Sequence, residues 1–482
     1  MSKNGSRYDA VIIGAGVGGL ICGCYLAKNG MKVLIIEKNS SAGGYCSNIK
    51  KNSFNFNLTT FSLGSLGEGG VLNKILFGDL NLKNRLPIGK DRSSTTIVTE
   101  DGSFDFGLEY DTALGKLGKI FPDQSNAVRS FFKSIVCSDP AELYLKYKDS
   151  SFGKVLDQSF SNERLRKFFT IPCGNYGYSP RKISAFSALI YYKNLILDGS
   201  YHIIGGAEKL AGVLSDEFKR MGGIILFHAQ VAKILIKTGD HIEGVVLKDG
   251  TKIEAAYLVA CCDAREVLLK LIGKDKLNNQ IVKLIKALKI SSSAFIVYLG
   301  LKKEVDACKA RNVWFCTKYD TEEIFSDYAK YSKDPGYMLI NFSSSAKDEL
   351  TDQVSVCSSA PFMTLRYWEE NKESLAQKLI EKTDSLLGNL SRNIDTQLVT
   401  TPIDLYDHTL NYRGAMRGWA STPKQSKSRL IPQAALFKNL FLAGQWATHE
   451  FGQGSIPATS FSAHRVATTI LKKREQFGGS DL

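Results

Sequence analysis

Three glycines near the N terminus have the spacing of a phosphate-binding loop. Gly14, Gly16 and Gly19 form a GxGxxG sequence directly after the apolar run YDAVII. In such a loop the first glycine permits a tight turn, the second lets the backbone approach a pyrophosphate, and the third lets a helix pack on the strand. Glu37 follows the run MKVLII, where a carboxylate accepts hydrogen bonds from an adenosine ribose. These residues predict a site for an anionic dinucleotide without a 2′-phosphate.

The elements around the glycines are those that such a site requires. The apolar pattern predicts strands over residues 8–13 and 31–36 and a helix over residues 17–29, with Gly30 as its C-terminal stop. The helix directs its free N–H groups and the positive end of its dipole at the phosphates. Strand, glycine loop, helix, strand and acid together complete a βαβ dinucleotide unit, so we predict an α/β fold with a Rossmann-like domain.

Two later blocks repeat this pattern of strands, glycines and helices. In the first, a helix with apolar Leu210, Leu214 and Phe218 precedes five predicted strand segments, at residues 224–227, 231–236 and 244–247, around Ile253, and at 257–261. They predict a three-stranded β-meander beside a parallel sheet. In the second block a strand over residues 441–443 leads through Gly444 to a helix that begins near Pro457.

Several motifs resemble those of one flavoprotein family. EKNSSAGGYCSN, from Glu37, is similar to the E-K-x(4)-G-G extension of glutathione-reductase-type flavoproteins, especially the amine oxidase and carotenoid desaturase branch. The ending NLFLAGQWATHEFGQGSIPATSFSAHRVATTIL, from Asn439, resembles that of phytoene desaturase, carotene isomerase and retinol saturase relatives. NYRGAMRGWASTPKQ, from Asn411, resembles a substrate-side motif of the same group.

This resemblance implies an FAD-dependent oxidoreductase with two discontinuous domains. The FAD-binding domain would comprise residues 1–63, 199–289 and 426–482, and an α+β substrate domain with a helical cap would comprise residues 64–198 and 290–425. Val231 would contact adenine, and Gln445 stands where many relatives have an acid. The implied cofactor-binding residues are Gly14, Ala15, Gly16, Gly18, Gly19, Glu37, Lys38, Gly43, Gly44, Tyr45, Thr60, Val231, Gly444, Gln445, Gly454, Ser455 and Ile456.

The implied reaction is hydride transfer between FAD and a hydrophobic polyene or isoprenoid, in desaturation, saturation or cis–trans isomerisation. Such transfer needs no protein nucleophile, because the cofactor carries the chemistry. Where an acid or base is required, His449 and Glu450 lie in the loop before the last helix, although loop residues of these types are usually only solvated structure. The same fold leaves two other functions open, an amine or protoporphyrinogen oxidase and a non-catalytic prenyl-binding protein.

Composition sets limits on partners and location. The net charge is +14, but the basic residues are scattered and no nucleic-acid-binding motif accompanies them. The ten cysteines form no CxxC pair and no metal-binding cluster with histidine, so we predict reduced thiols, no metal site and a cytoplasmic protein. The uncharged run over residues 10–27 is a strand, a glycine turn and a helix, so any membrane contact is expected to be peripheral. Nothing in the sequence indicates an oligomeric state.

Aromatic residues between the motif blocks have two possible roles. Phe131, Phe132, Phe168, Phe169, Tyr176, Tyr178, Phe186, Tyr191 and Tyr192 suit either an apolar substrate cavity or an ordinary core. Residues 183–195 also carry a nearly continuous apolar stripe. A helix there is expected to face the core, with a membrane-facing lid as the alternative.

Overall fold

The fold is described from a computed structural model of the chain. It describes residues 7–59, 62–91, 96–99, 102–105, 110–197, 199–237, 239–305, 312–317, 321–326, 335–343, 351–388, 390–427, 436–447 and 454–476. No helix among these residues is both long enough and apolar enough to cross a bilayer.

The first of two large sheets contains the predicted dinucleotide unit. Its strands are, in spatial order, Val231–Ile236, Ile242–Leu247, Lys252–Ala260, Tyr8–Ile13, Val33–Ile36 and Ile224–Leu226, and Leu440–Leu442 also pairs with Lys252–Ala260. The pairs around Tyr8–Ile13 are parallel, whereas the first three strands form an antiparallel meander. The predicted α/β fold is therefore confirmed.

One detail of the predicted meander is wrong. The segments expected around Ile253 and over residues 257–261 are a single strand, Lys252–Ala260. No glycine, proline or other turn residue interrupts the sequence EAAY between them, so the chain stays extended. Its first half pairs with the meander and its second half pairs in parallel with Tyr8–Ile13.

The second sheet is mainly antiparallel. Its strands are, in order, Ile394–Thr400, Ser293–Val305, Thr351–Ala360, Tyr337–Ser343, Asn312–Cys316, Thr96–Thr99 and Gly102–Asp105. Alternate side chains of a strand point to opposite faces. Phe295 and Val297 accordingly pack with the long helix Leu365–Leu387, whereas Ile296 and Tyr298 pack with the helical cap.

The cap helices share an aromatic core with one face of the second sheet. Its helices are Tyr110–Ile120, Ser125–Val136, Pro140–Tyr147, Phe152–Ser159, Glu163–Thr170 and Ala185–Tyr191. Phe131, Phe132, Phe168, Phe169 and Phe186 are buried in this core, so the ordinary packing role is correct for them. Ala185–Tyr191 is buried along its apolar face, which makes the alternative of a membrane-facing lid wrong.

The remaining described elements are two pairs of short strands and a set of helices, of which Val17–Lys28, Ala207–Arg220 and Ile456–Gln476 pack on the first sheet. They are the paired strands Asn48–Lys51 and Phe54–Asn57, the paired strands Ile88–Lys90 and Tyr201–Ile203, and the helices Val17–Lys28, Val71–Asn73, Ala207–Arg220, Ala264–Glu266, Asn279–Ala287, Thr321–Ser326, Pro402–Thr409, Pro423–Lys427 and Ile456–Gln476.

The limits of the two predicted domains stay a prediction, and one feature argues against the limit at residue 63. Strands of the first sheet all lie within the ranges assigned to the FAD domain, and those of the second sheet all lie outside them. However, Leu66, Leu72 and Leu76 share a buried core with Leu20 of the glycine-loop helix. The segment after residue 63 therefore packs against the dinucleotide-binding unit, because its leucines share the core of the glycine-loop helix.

Candidate active site

A cavity of about 360 Å³ opens at the carboxyl ends of the parallel strands in the first sheet. This is the edge at which open α/β sheets bind their ligands. The lining comes from stretches far apart in the sequence, with Gly16 and Glu37 from the N-terminal unit, Val231 and Asp263 from the middle block and Gly444 from the C-terminal block.

The glycine loop has the geometry that its spacing predicts. Gly14 has a φ of +100°, a conformation that disfavours any residue with a Cβ. A Cβ on Gly19 would lie 1.9 Å from the carbonyl oxygen of Gly14, so the helix packs directly on the loop. A Cβ on Gly16 would meet nothing closer than an oxygen of Gly43 at 4.0 Å. The open space for a ligand group is therefore beside Gly16.

Glu37 is buried beside this loop, and two backbone N–H groups fix the orientation of its carboxylate. One carboxylate oxygen accepts a hydrogen bond from the backbone N–H of Ala15 at 2.8 Å, and the other accepts one from the N–H of Asn39 at 2.9 Å. Lys38 lines the same end, and its ammonium donates to the carbonyl oxygen of Asp407 at 2.8 Å. Burial lowers the pKa of Lys38.

Asp263 is a second buried acid at the end of the cavity that contains Glu37. It was not among the predicted site residues. It is only 1% exposed, and its carboxylate accepts backbone N–H groups from Arg265 and Tyr412, each at 2.6 Å. Burial raises the pKa of Asp263 to about 6, against which these hydrogen bonds act. Its place three residues after the end of a buried strand was the signal in the sequence.

At the other end of the cavity, the C-terminal block meets the glycine loop. A Cβ on Gly18 would lie 3.2 Å from the Cα of Gly444, whereas a Cβ on Gly444 itself would meet nothing within 4 Å. Gly454 packs against the backbone of Arg417, because a Cβ there would lie 2.3 Å from its Cα. The helix Ile456–Gln476 begins at this point, so its N terminus faces the cavity.

Most predicted cofactor residues meet in this cavity. Those that line it are Gly14, Gly16, Gly18, Glu37, Lys38, Gly43, Gly44, Tyr45, Val231, Gly444, Gln445, Gly454, Ser455 and Ile456. Ala15 and Gly19 are not in the lining. The backbone N–H of Ala15 donates to the Glu37 carboxylate, and Gly19 packs on Gly14. Thr60, His449 and Glu450 lie outside the described residues, so their roles stay predictions.

These features fit an extended dinucleotide cofactor. The space beside Gly16 and Gly444 would be filled by any side chain there, and two helices begin beside it, Val17–Lys28 and Ile456–Gln476. Their free N–H groups suit phosphate oxygens and a ring that gains negative charge. Glu37 suits the ribose hydroxyls at the far end.

Beyond the cofactor region the cavity continues to the cap-facing side of the second sheet. Tyr176, Tyr191, Trp314 and Tyr337 line this part together with Met416 and Leu339, and we call it the substrate chamber. The Arg417 guanidinium lies 5.2 Å from the centre of the Tyr176 ring. Burial raises the pKa of Tyr176, and the charge of Arg417 opposes that rise. Tyr176 and Tyr191 were among the aromatic residues predicted for a cavity or a core, and they line the cavity, whereas Trp314 and Tyr337 were not predicted.

The sequence matches the family described as flavin containing amine oxidoreductase over residues 17–471. The protein belongs to this family. Its members are FAD-dependent oxidoreductases, which agrees with the open space beside Gly16 and Gly444, here called the cofactor cradle. The predictions of an FAD cofactor and of an oxidoreductase are confirmed.

Several curated relatives cover most of the chain, among them a desaturase and a reductase. A 1-hydroxycarotenoid 3,4-desaturase from Flavobacterium sp. (strain P99-3) is 25% identical over 86% of this chain and 89% of its own length. An all-trans-retinol 13,14-reductase from Danio rerio is 22% identical over 91% of this chain and 82% of its own length.

Solved structures of an oxidoreductase and an amine oxidase share the fold. An oxidoreductase from Methanosarcina mazei superposes with a TM-score of 0.69 at 16% identity, over 96% of this chain and all of its own. Cyclohexylamine oxidase from Brevibacterium oxydans gives a TM-score of 0.65 at 13% identity, over 98% of this chain and all of its own. At these identities the likeness concerns the fold alone.

Proposed function

We propose that this protein transfers hydride between FAD and carbon–carbon bonds of a hydrophobic polyene or isoprenoid, in desaturation, saturation or cis–trans isomerisation. The observation that carries the proposal is the substrate chamber, whose aromatic and aliphatic walls continue directly from the cofactor region. Relatives named as a carotenoid desaturase and a retinol reductase, each matching over most of the chain, support the same substrate class. Peripheral contact with a membrane would supply such a substrate.

The chain's own residues have a limited part in this chemistry. When bound, FAD accepts or supplies the hydride. Desaturation removes a hydride and a proton from neighbouring carbons, and saturation adds both, so a proton carrier is needed beside the chamber. Burial raises the pKa of Tyr176 and of Tyr191, so both phenols stay protonated near neutral pH and cannot serve as bases. His449 or Glu450 remains the proposed carrier.

An amine oxidase has the same fold, but the charge of the chamber argues against one. The substrate of an amine oxidase carries a cationic ammonium in water, and here the Arg417 guanidinium lies beside Tyr176. Among the described residues of the lining, the carboxylates Glu37, Asp263 and Glu266 belong to the cofactor end. The charge of Arg417, which also opposes the rise in the pKa of Tyr176, therefore disfavours a cation beside that ring.

Anaerobic mixing of the FAD-loaded protein with polyenes tests the proposal. Oxidised enzyme is mixed with a partly saturated polyene, and chemically reduced enzyme with a fully conjugated one, both in detergent micelles. We expect the flavin absorption to be lost in the first case or regained in the second, with a product that differs by two hydrogen atoms in its mass. For isomerisation we expect a product of unchanged mass and altered retention on chromatography.

Two alternative outcomes would overturn the proposal. Release of peroxide with a primary amine, and no reaction with any polyene, would favour the amine oxidase. A flavin-free preparation that cannot be reconstituted, and that carries a prenyl lipid in its organic extract, would favour the binding protein. The open space beside Gly16 argues against this last outcome.

A further inference from the structure

Three buried polar groups of the substrate chamber have no hydrogen-bond partner among the described residues. They are the hydroxyls of Tyr191 and Tyr337 and the indole N–H of Trp314. Trp314 and Tyr337 are 2% and 4% exposed, and each of the three polar atoms is itself buried. Buried polar groups in folded proteins are almost always satisfied, and an exception calls for an explanation.

The three groups come from different elements but face the same space. Trp314 and Tyr337 lie diagonally across two paired strands, with Trp314 opposite Leu339 and Tyr337 opposite Cys316, so their side chains share a face. Their ring centres are 5.9 Å apart. Tyr191 lines the same cavity, and burial, with a further contribution from Tyr191, raises the pKa of Tyr337.

The packing of Tyr337 holds its hydroxyl in place. A Cβ added to Gly174 would lie 2.4 Å from the ring of Tyr337 and 2.9 Å from its hydroxyl oxygen. The ring therefore lies directly on the backbone at Gly174, and a side chain at that position would displace it. Tyr191 in turn lies 6.1 Å from Tyr176, measured between the ring centres.

The chemistry of these groups selects one kind of ligand atom. An indole N–H only donates, and a phenol that stays protonated also donates. The matching ligand atom is an acceptor oxygen. The positive charge of Arg417 beside Tyr176 favours an electron-rich atom in the same chamber.

We propose that Tyr191, Tyr337 and Trp314 form a subsite for an oxygen acceptor at the end of the substrate, so that the preferred polyene carries a hydroxyl, carbonyl or carboxylate end group. This inference rests on the proposed function for the polyene part of the ligand. A hydrocarbon end would leave all three donors unsatisfied. Sites built to hydrogen-bond a substrate oxygen reject the analogue that lacks it for this reason.

The experiment compares two polyenes that differ only in their end group, one a hydrocarbon and one oxygenated. Binding to the FAD-loaded protein is measured by the change in the flavin spectrum, and turnover is measured separately. We expect the wild type to bind the oxygenated polyene at least about tenfold more tightly. Tyr337→Phe and Trp314→Phe should each remove most of that preference while the affinity for the hydrocarbon stays the same.

Tyr298→Phe is the matched control. Tyr298 is fully buried on the same face of the second sheet, but its hydroxyl donates to the carbonyl oxygen of Leu58 at 2.6 Å and does not line the chamber. Its loss should lower the stability and leave the binding preference unchanged. Tyr337→Phe removes a hydroxyl without a partner, so we expect its melting temperature to match that of the wild type.

The outcomes separate the subsite from the proposed function. Equal binding of the two polyenes by the wild type, or an unchanged preference in both chamber variants, overturns the subsite even if polyenes are turned over. Failure to turn over either polyene counts against the proposed function alone. In that case a binding preference that is lost in Tyr337→Phe still supports the subsite.

Discussion

At the scale of single residues, two glycines of one motif have opposite relations to the space around them. Gly16 faces open space in the cavity, whereas a Cβ on Gly19 would overlap the carbonyl oxygen of Gly14. Gly16 has a φ of −67° and a ψ of 173°, which any residue adopts. We infer that Gly16 leaves room for a ligand, whereas Gly19 permits the helix to pack on the loop.

Substitutions at these positions should separate cofactor binding from folding. Gly16→Val should give a folded protein that purifies with little or no flavin, because the side chain fills the cradle. Gly19→Ala should instead lower the yield of folded protein, because the helix has to move away from the strand. Flavin absorption per protein and circular dichroism measure the two effects. Normal flavin content in folded Gly16→Val would contradict this account of the cradle.

Glu37 is expected to act mainly through binding. Its carboxylate lines the cavity and stays oriented by Ala15 and Asn39. Glu37→Ala should weaken the affinity for FAD by roughly tenfold or more, in line with the contribution of hydrogen bonds to a charged group. Titration of the flavin-free protein with FAD, followed by fluorescence, measures this change. An unchanged dissociation constant would place the ribose elsewhere.

Asp263 makes folding depend on pH in a direction that is unusual for a carboxylate. The pKa of Asp263 is about 6 in the folded protein, above its ordinary value of 3.8. A carboxyl group with a raised pKa stabilises the folded state below its ordinary pKa, and this contribution is lost as the pH rises through the folded value. The buried charge of Asp263 therefore costs stability at neutral pH.

Asp263→Asn should remove this dependence. The free energy of unfolding of the variant, minus that of the wild type, should rise by about 2–3 kcal/mol between about pH 4 and pH 7. Urea denaturation of the flavin-free proteins across this range measures the difference. The quantity to compare is the change of this free-energy difference with pH. Its value at a single pH also contains the loss of one N–H acceptor in Asn. A difference that is flat or falls with pH would contradict the raised pKa.

At the scale of elements, the cap is held together by aromatic contacts between its helices. Phe169 is fully buried, and its ring lies 5.1 Å from that of Phe160 in a stacked arrangement and 5.5 Å from that of Phe131. These contacts join three different helices or their ends. The cap in turn carries Tyr191 at the end of Ala185–Tyr191, so its packing positions one wall of the substrate chamber.

Truncation of this aromatic core should destabilise the cap strongly. We expect Phe169→Ala to lower the free energy of unfolding by about 3–5 kcal/mol through lost burial and the cavity that remains. Leu145→Ala is the control in the same cap, because Leu145 is 67% exposed and should change stability by less than about 0.5 kcal/mol. Thermal or urea denaturation measures both. Similar losses in the two variants would contradict this view of the cap.

A second set of contacts attaches the segment that carries Arg417 to the first sheet. The Trp419 indole donates to the carbonyl oxygen of Trp446 at 2.8 Å, and the Trp446 indole donates to the side-chain oxygen of Asn411 at 2.8 Å. Trp446 follows Gln445 directly in the C-terminal block. These bonds explain why a motif of the substrate side and a motif of the cofactor side belong to one site.

At the scale of the whole molecule, the cavity joins elements that are remote in sequence. The strand Leu440–Leu442 pairs with Lys252–Ala260, which pairs with Tyr8–Ile13. A ligand that contacts the loops after these strands binds only when all of them are in place. Ligands that bind the folded state alone shift the unfolding equilibrium in proportion to the logarithm of their concentration.

FAD should therefore stabilise the whole chain. At a hundredfold excess over its dissociation constant, we expect FAD to raise the free energy of unfolding by about 2.7 kcal/mol, with a matching rise in melting temperature. Differential scanning fluorimetry of flavin-free protein at increasing FAD concentrations measures the effect, and Gly16→Val should show little of it. A melting temperature independent of FAD would show that the cradle does not bind it in the folded state.

The sequence by itself determined the features that depend on neighbouring residues. The glycine loop, Glu37 after its strand and the helix starting near Ile456 were all predicted, because turns, caps and apolar periodicity are local properties. The fold class followed from the order of these elements together with the family resemblance. The merging of two predicted segments into Lys252–Ala260 was missed, since the boundaries of strands depend on pairing as well as on propensity.

Only the tertiary structure decided which residues share the substrate chamber. Tyr191, Trp314, Tyr337 and Arg417 come from a cap helix, two strands and a connecting segment, and no spacing in the sequence relates them. The tertiary structure also separated Tyr176 and Tyr191, which line the cavity, from Tyr192, which is buried with the phenylalanines of the cap. The physical reason is that burial and unsatisfied hydrogen bonds result from long-range packing, which places side chains together whatever their distance along the chain.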